Sequence, residues 1–274
     1  MSSRPVVSIE GVTKTFSQGE VTALERIDLD LGPGAFLSLI GPSGCGKSTL
    51  LRVIGDLIEP TRGTVTVNGK SAHQARVDRD YGIVFQDSVL FDWRTVAKNI
   101  ALPLELLGWD RARRNARVHE MLELVELTGF EKHHPWQLSG GMQQRVSIAR
   151  ALAIEPPLLL MDEPFGALDE MTRERLNLEL LRIWEALGST IVFVTHSISE
   201  AVFLSTRVVV MSPRPGRIRG VVEIDLPQPR TVDTRESPRF FELVTKVRAL
   251  LRGMESAEEE GALEEELLTA EEGL

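Results

Sequence analysis

Cysteine is nearly absent from this chain. Cys45 stands alone among 274 residues, so no disulfide can form within the chain, and a reducing cytosol is the expected compartment. Long apolar runs are missing as well. Although 42% of residues are hydrophobic, no stretch approaches the roughly 20 apolar residues that span a bilayer. The opening Met1-Ser2-Ser3-Arg4-Pro5 has no apolar segment of the secretory kind. A basic surplus is also lacking. The net charge is −9, yet residues 255–274 hold nine glutamates and neither lysine nor arginine. Of the 40 acidic residues, the 31 outside that segment balance the 31 basic ones. A body of zero net charge does not suit nucleic acid, so none is expected as a partner. The tail at 255–274 reads as solvated and disordered, with Leu263, Leu267 and Leu268 spaced to permit a short amphipathic helix.

What the chain does have is a phosphate cradle. Phe36 to Ile40 reads as a buried strand, and Gly41-Pro42-Ser43-Gly44-Cys45-Gly46-Lys47-Ser48-Thr49 follows it. Gly41, Gly46, Lys47 and Ser48 meet the pattern G-x-x-x-x-G-K-[ST]. Glycines let successive backbone N–H groups converge on one anion, and a helix beginning near Gly46 adds its positive end. Lys47 supplies charge to the β- and γ-phosphates, and the Ser48 hydroxyl can ligate Mg²⁺. Cys45 reads first as a tolerated small residue; the sharper expectation is that the helix start lowers its thiol pKa, with alkylation blocking hydrolysis and bound ATP protecting it.

Further strands end in polar residues on what would be the same edge. Leu158 to Met161 suits a strand buried on both faces of a parallel sheet, and Asp162 and Glu163 follow. Asp162 is the candidate partner of Mg²⁺. Glu163, on the opposite side of the chain, is the candidate to orient and deprotonate an attacking water. His196 ends the strand Ile191 to Thr195 and is read as a γ-phosphate contact; His73, His119, His133 and His134 show no such placement and are assigned no role. Gln86 follows the apolar Ile83 to Phe85; taken alone it is a loop position within reach of metal or water.

Leu138-Ser139-Gly140-Gly141-Met142-Gln143-Gln144-Arg145 completes the set. Ser139 is a good N-cap, and Gly140 and Gly141 leave the first N–H groups of a helix open, a second anion site without a lysine. With these residues the chain resembles the ATP-binding subunits of ABC transporters, from about Val6 to Glu223. Leu138 to Arg145 is similar to that family's signature, with Met142 where glutamine is usual. Gln86 and His196 match its Q- and H-loops, Ala167-Leu168-Asp169 the loop after the catalytic glutamate, and Phe16 the aromatic stacked on adenine.

The resemblance implies an α/β fold: a P-loop NTPase (ABC ATPase) core with an antiparallel β subdomain and an inserted α-helical subdomain. The ATP-binding domain is expected over 1–229, the helical subdomain at about 87–155 and a C-terminal helix at 230–254. Antiparallel strands over residues 6–31, turning at Ser17-Gln18-Gly19, and a strand from Gly63 to Lys70 would frame the adenine. Val96 to Ala153 reads as helical. The resemblance further implies Mg²⁺ and ATP as cofactor and fuel, with Glu163, His196, Lys47 and Gln86 catalytic. It implies a head-to-tail pair with a second copy or a paralogous ATPase, whose Ser139, Gly140 and Gly141 close the site, with Asp169 also among the nucleotide-binding residues. Lacking membrane helices, such a chain docks on transmembrane permease subunits at the cytoplasmic face, served indirectly by an extracytoplasmic solute-binding protein. Phe91, Asp92, Trp93 and Arg94 would cup a short permease helix. Val89 to Val96, Leu102-Pro103-Leu104 and the Ser212 to Ile218 turn look like the nitrate/sulfonate/taurine uptake branch. The alternative is a soluble ABC ATPase without a transporter; the chain has neither the inserted coiled coils nor the tandem cassettes of such proteins.

Overall fold

The computed structural model describes residues 4–16, 19–166 and 168–253. The acidic tail, most of the Ser17-Gln18-Gly19 turn and Ala167 lie outside the described residues, so the expectations placed on them stay as stated.

Two sheets share one interior. The larger has the order β10 (Ile218–Glu223), β9 (Arg207–Met211), β3 (Phe36–Ile40), β8 (Thr190–Val194), β7 (Leu158–Asp162), β6 (Tyr81–Val84). All its pairings are parallel except β9 with β10. Every residue of β3, β7 and β8 is buried, because helices or a second sheet cover both faces. The two-residue side-chain period divides these strands between two cores. Phe36, Ile40, Leu159, Met161 and Phe193 face the helices, whereas Leu37, Leu39, Leu160 and Val194 face the antiparallel sheet.

That second sheet has the order β2 (Val21–Leu31), β1 (Val7–Phe16), β4 (Arg62–Val67), β5 (Lys70–Ser71). Asn68 and Gly69, both at positive φ, form the tight turn between β4 and β5. Helix α1 (Lys47–Ile54) runs beneath this sheet, and α2 (Ala72–Asp78) follows β5.

The stretch read as helical holds three helices: α3 (Val96–Leu106), α4 (Arg111–Leu124) and α5 (Gly140–Leu152). The breaks have local causes. Gly108 takes φ 70°, and Asp110 then caps α4 by accepting from Arg113 N at 3.0 Å. Glu126 and Gly129 also turn at positive φ, and Pro135 opens a short 3₁₀ turn before Ser139. Helices α6 (Glu170–Leu187) and α7 (Ile198–Leu204) flank β8, and a last helix, α8, covers 238–253. Among the described residues, no helix is long and apolar enough to cross a membrane.

Candidate active site

β3 is central, with β9 on one side and β8 on the other, so its carboxyl end opens where neighbouring strands finish. The glycine loop leaves this strand and α1 begins at Lys47. Gly46 takes φ 104°, and a Cβ there would lie 2.8 Å from both Ala23 O and Leu24 Cδ2. Only glycine fits so close to β2. No side chain caps α1, so its first N–H groups stay open toward the cleft. Lys47 is buried, with Nζ donating to Gly41 O and Pro42 O at 2.9 Å each.

A cavity of about 310 Å³ lies over this loop, lined by Ser43, Gly44, Gly46, Lys47, Ser48 and Thr49. Phe16, Val21 and Ala23 of β1 and β2 form its far wall, and Glu163 and Arg214 also reach it. β4 and β5, expected beside the adenine, do not line it; the sheet order puts β1 and β2 nearest the loop. The Phe16 ring is part-exposed beneath Lys14 Nζ, 5.0 Å from its centroid. Gly41 and Pro42 contribute carbonyls to Lys47 rather than a wall.

Cys45 overturns its expectation. Its side chain turns inward at 1% exposure, among Leu24, Leu50 and Met211. Burial pushes the thiol pKa up, and this outweighs the lowering by Lys47 and the helix-start N–H. It is a core residue, not an activated thiol.

The carboxylates gather at the strand ends. Asp162, 5% exposed, accepts from Ser48 Oγ at 2.7 Å and lies 3.7 Å from Arg52 of α1. Glu163 N–H then donates to Val194 O (3.0 Å) on β8 while its φ swings to 45°. This left-handed kink costs about 1 kcal/mol or more in a non-glycine residue. It carries the carboxylate to His196, whose Nδ1 is 3.4 Å from Glu163 Oε2. A Cβ built on Gly166 would sit 3.6 Å from Glu163 Oε2 and 3.7 Å from Gln86 Nε2, so Gln86 and Glu163 converge there. Oxygens of Ser48 and Asp162 within one hydrogen bond of each other suit a hard cation such as Mg²⁺.

The remaining residues assemble elsewhere. Ser139 caps α5, accepting from Met142 N at 3.3 Å. Gly140 and Gly141 face Leu168 and Thr172, next to Asp169, which caps α6. Hydrogen bonding to the Thr172 N–H holds the Asp169 carboxyl below its usual pKa. None of Ser139, Gly140, Gly141 or Asp169 lines the cavity of its own chain.

Two sets of side chains carried no clear sequence signal. Gln144 donates to Phe85 O (3.1 Å), and Arg150 to Ser88 O and Val89 O, so α5 grips the segment around Gln86. Arg214 reaches the cradle from the β9–β10 turn, a proximity that only tertiary packing creates.

Comparison with known proteins agrees with this geometry. A family model described as ABC transporter matches residues 24–166. The chain is 46% identical to the taurine import ATP-binding protein TauB of Rhizobium johnstonii, covering 86% of this chain and 91% of that one. It is 47% identical to the aliphatic sulfonates import ATP-binding protein SsuB of Bacillus cereus, covering 88% and 94%. A dimeric post-hydrolysis state of the ATP-binding cassette MJ0796, bound to ADP and phosphate, superimposes with a TM-score of 0.71 at 37% identity, covering 80% of this chain and 98% of that one. With an open helix start above a buried lysine, a carboxylate pair on the adjacent strand end and these relatives, the chain belongs to the ABC transporter family, as one of its ATPases.

Proposed function

We propose that this chain is the motor of an importer for small sulfonates of the taurine type, working as a head-to-tail pair. The observation that carries the chemistry is the meeting of Ser48 with Asp162, and of Glu163 with His196, at the strand ends beneath one glycine loop. Phe16 stacks on the adenine. Lys47 and the amides of Ser43 to Thr49 hold the phosphates, and His196 holds the γ-phosphate. Ser48, Asp162 and Gln86 are the residues to hold Mg²⁺, which when bound neutralises phosphate charge. Glu163 orients the water and takes its proton. Ser139, Gly140, Gly141 and Asp169 of a second copy close over the γ-phosphate, a reading supported by their absence from their own chain's cavity and by the dimeric cassette of similar fold.

Docking is proposed at the groove of about 340 Å³ that Val89, Phe91, Leu102, Pro103 and Leu106 help to line. Trp93 beside it is 74% exposed, and its ring centroid lies 4.9 Å from that of Phe91. A short apolar helix of a separate permease subunit would fit there, placing the chain at the cytoplasmic face of the membrane, with an extracytoplasmic solute-binding protein on the far side. The import proteins named above support transport over a soluble role, and sulfonates as cargo.

Glu163→Gln keeps the side chain's shape and removes the base. Nucleotide affinity should stay close to wild type, turnover should fall at least ~100-fold, and ATP should now trap a dimer on size exclusion. Hydrolysis near the wild-type rate would remove Glu163 from the mechanism.

A further inference from the structure

The Ser212 to Arg217 turn between β9 and β10 is built against the phosphate loop. Gly216 N donates to Ala23 O (3.0 Å) and Gly216 O accepts from Glu25 N (2.9 Å), which fastens the turn to β2. A Cβ on Gly216 would collide with Cys45 O, so the backbone approaches the loop as closely as glycine allows. Ser212 Oγ donates to the carbonyls of Pro213 and Pro215 and accepts from Arg217 N, fixing the turn internally. Arg217 is turned away onto Glu25 at 2.8 Å.

Arg214 is the side chain this turn presents to the cleft. It lines the cavity with Ser43, Gly44 and Lys47, and its Nε and Nη2 donate to Gly44 O at 3.4 and 3.2 Å. It forms no ion pair among the described residues. The cavity's other charged side chains are Lys47, already directed at two loop carbonyls, and the anionic Glu163. An exposed guanidinium whose polar partner is one neutral carbonyl keeps most of its five donors free, in a fork suited to phosphate oxygens.

We propose that Arg214 is a second cation for the phosphates of the bound nucleotide, adding affinity within one protomer. Its seat at Gly44, on the phosphate loop rather than at Phe16, puts it on the phosphate side of the cavity. Because Arg214 hydrogen-bonds Gly44 and neither Glu163 nor His196, it acts on binding and leaves the hydrolytic step alone. The inference rests on the reading that the nucleotide occupies this cradle.

The test is equilibrium binding of fluorescent ADP and ATP analogues to the full chain, with steady-state hydrolysis beside it. Arg214→Ala should weaken both nucleotides about 5- to 20-fold, raise KM in step, and leave kcat within about twofold. Arg214→Lys should recover much of the loss, since charge without the fork still attracts phosphate. Arg214→Gln retains a donor for Gly44 O but no charge, and should bind as poorly as the alanine variant. Added salt should weaken wild-type binding more steeply than that of Arg214→Gln. Lys47→Ala serves as the control for the cradle itself: if it binds normally, the placement of the nucleotide fails rather than the role of Arg214. If Lys47→Ala loses binding while Arg214→Ala keeps wild-type affinity, the proposal is overturned. It is equally overturned if Arg214→Gln binds like wild type, which would reduce the residue to a loop buttress.

Discussion

α1 and α5 both begin at glycine-bearing turns with N–H groups directed outward, yet they are finished in opposite ways. At α1 the N-cap is Gly46, which has no side chain to satisfy the helix, and a buried lysine follows at once. At α5 the N-cap is Ser139, whose hydroxyl already accepts from Met142 N, and no cation lies in the first turn. The first start is incomplete until an anion arrives, and it carries charge to hold one. The second is stable without a ligand and has too little charge to capture phosphate alone. A protomer therefore has one helix start equipped to take up an anion and one that is not, which is what the proposed head-to-tail pairing requires.

The largest effect should come from filling the close approach that keeps α1 open. Gly46→Ala forces a Cβ within 2.8 Å of Ala23 O at a φ of 104°. Left-handed strain and overpacking together cost several kcal/mol, by shifting the loop or destabilising the fold. Nucleotide binding, followed by fluorescence, should be lost at concentrations ~100-fold above the wild-type Kd, with circular dichroism reporting whether the fold survives. Wild-type affinity in a folded Gly46→Ala protein would break the contrast at its stronger end.

Ser139→Ala tests the other end. Losing the cap should cost about 0.5–2 kcal/mol of stability, read as a modest fall in the denaturation midpoint. Nucleotide affinity of the isolated protomer should not change, because Ser139 lies outside its own cavity. On the proposed head-to-tail pairing, turnover should drop about tenfold or more. If protomer affinity and turnover fell together, the two helix starts would not be separate devices.

Both helix starts were legible in the sequence because each is written in consecutive residues: a strand, a glycine turn and a lysine at α1, a serine followed by two glycines at α5. The strand ends at Asp162, Glu163 and His196 were legible for the same reason, an apolar run stopping at a polar residue. The contacts that distant segments make were not legible. Arg214 arrives from 170 residues beyond Gly44, and the pairing of β10 with β9 together with the bonds of Gly216 to β2 sets its turn there. The break between α3 and α4 was hidden because apolar residues continue on either side of Gly108. The activated-thiol reading of Cys45 failed because sequence shows proximity to a helix start but not which way a side chain points.

Cys45 gives the smallest functional effect and the finest measure of the cradle's packing. Burial disfavours the thiolate, so the folded thiol titrates above its ordinary value of about 9. With the folded pKa raised, this group's contribution to stability is fully present below pH 9 and fades as pH rises through the folded value. The thiolate is the reactive form, and Cys45 is the chain's one thiol, so a chromogenic disulfide reagent reports on it alone. Reaction at pH 8 should be at least ~100-fold slower in folded than in unfolded protein. Cys45→Ala should hydrolyse ATP within about twofold of wild type while losing about 1 kcal/mol of stability, as a small buried group is removed. Rapid modification of the folded chain, blocked by nucleotide, would mean that the thiol faces the phosphates. The cradle would then be open on the side where the structure packs it against β2.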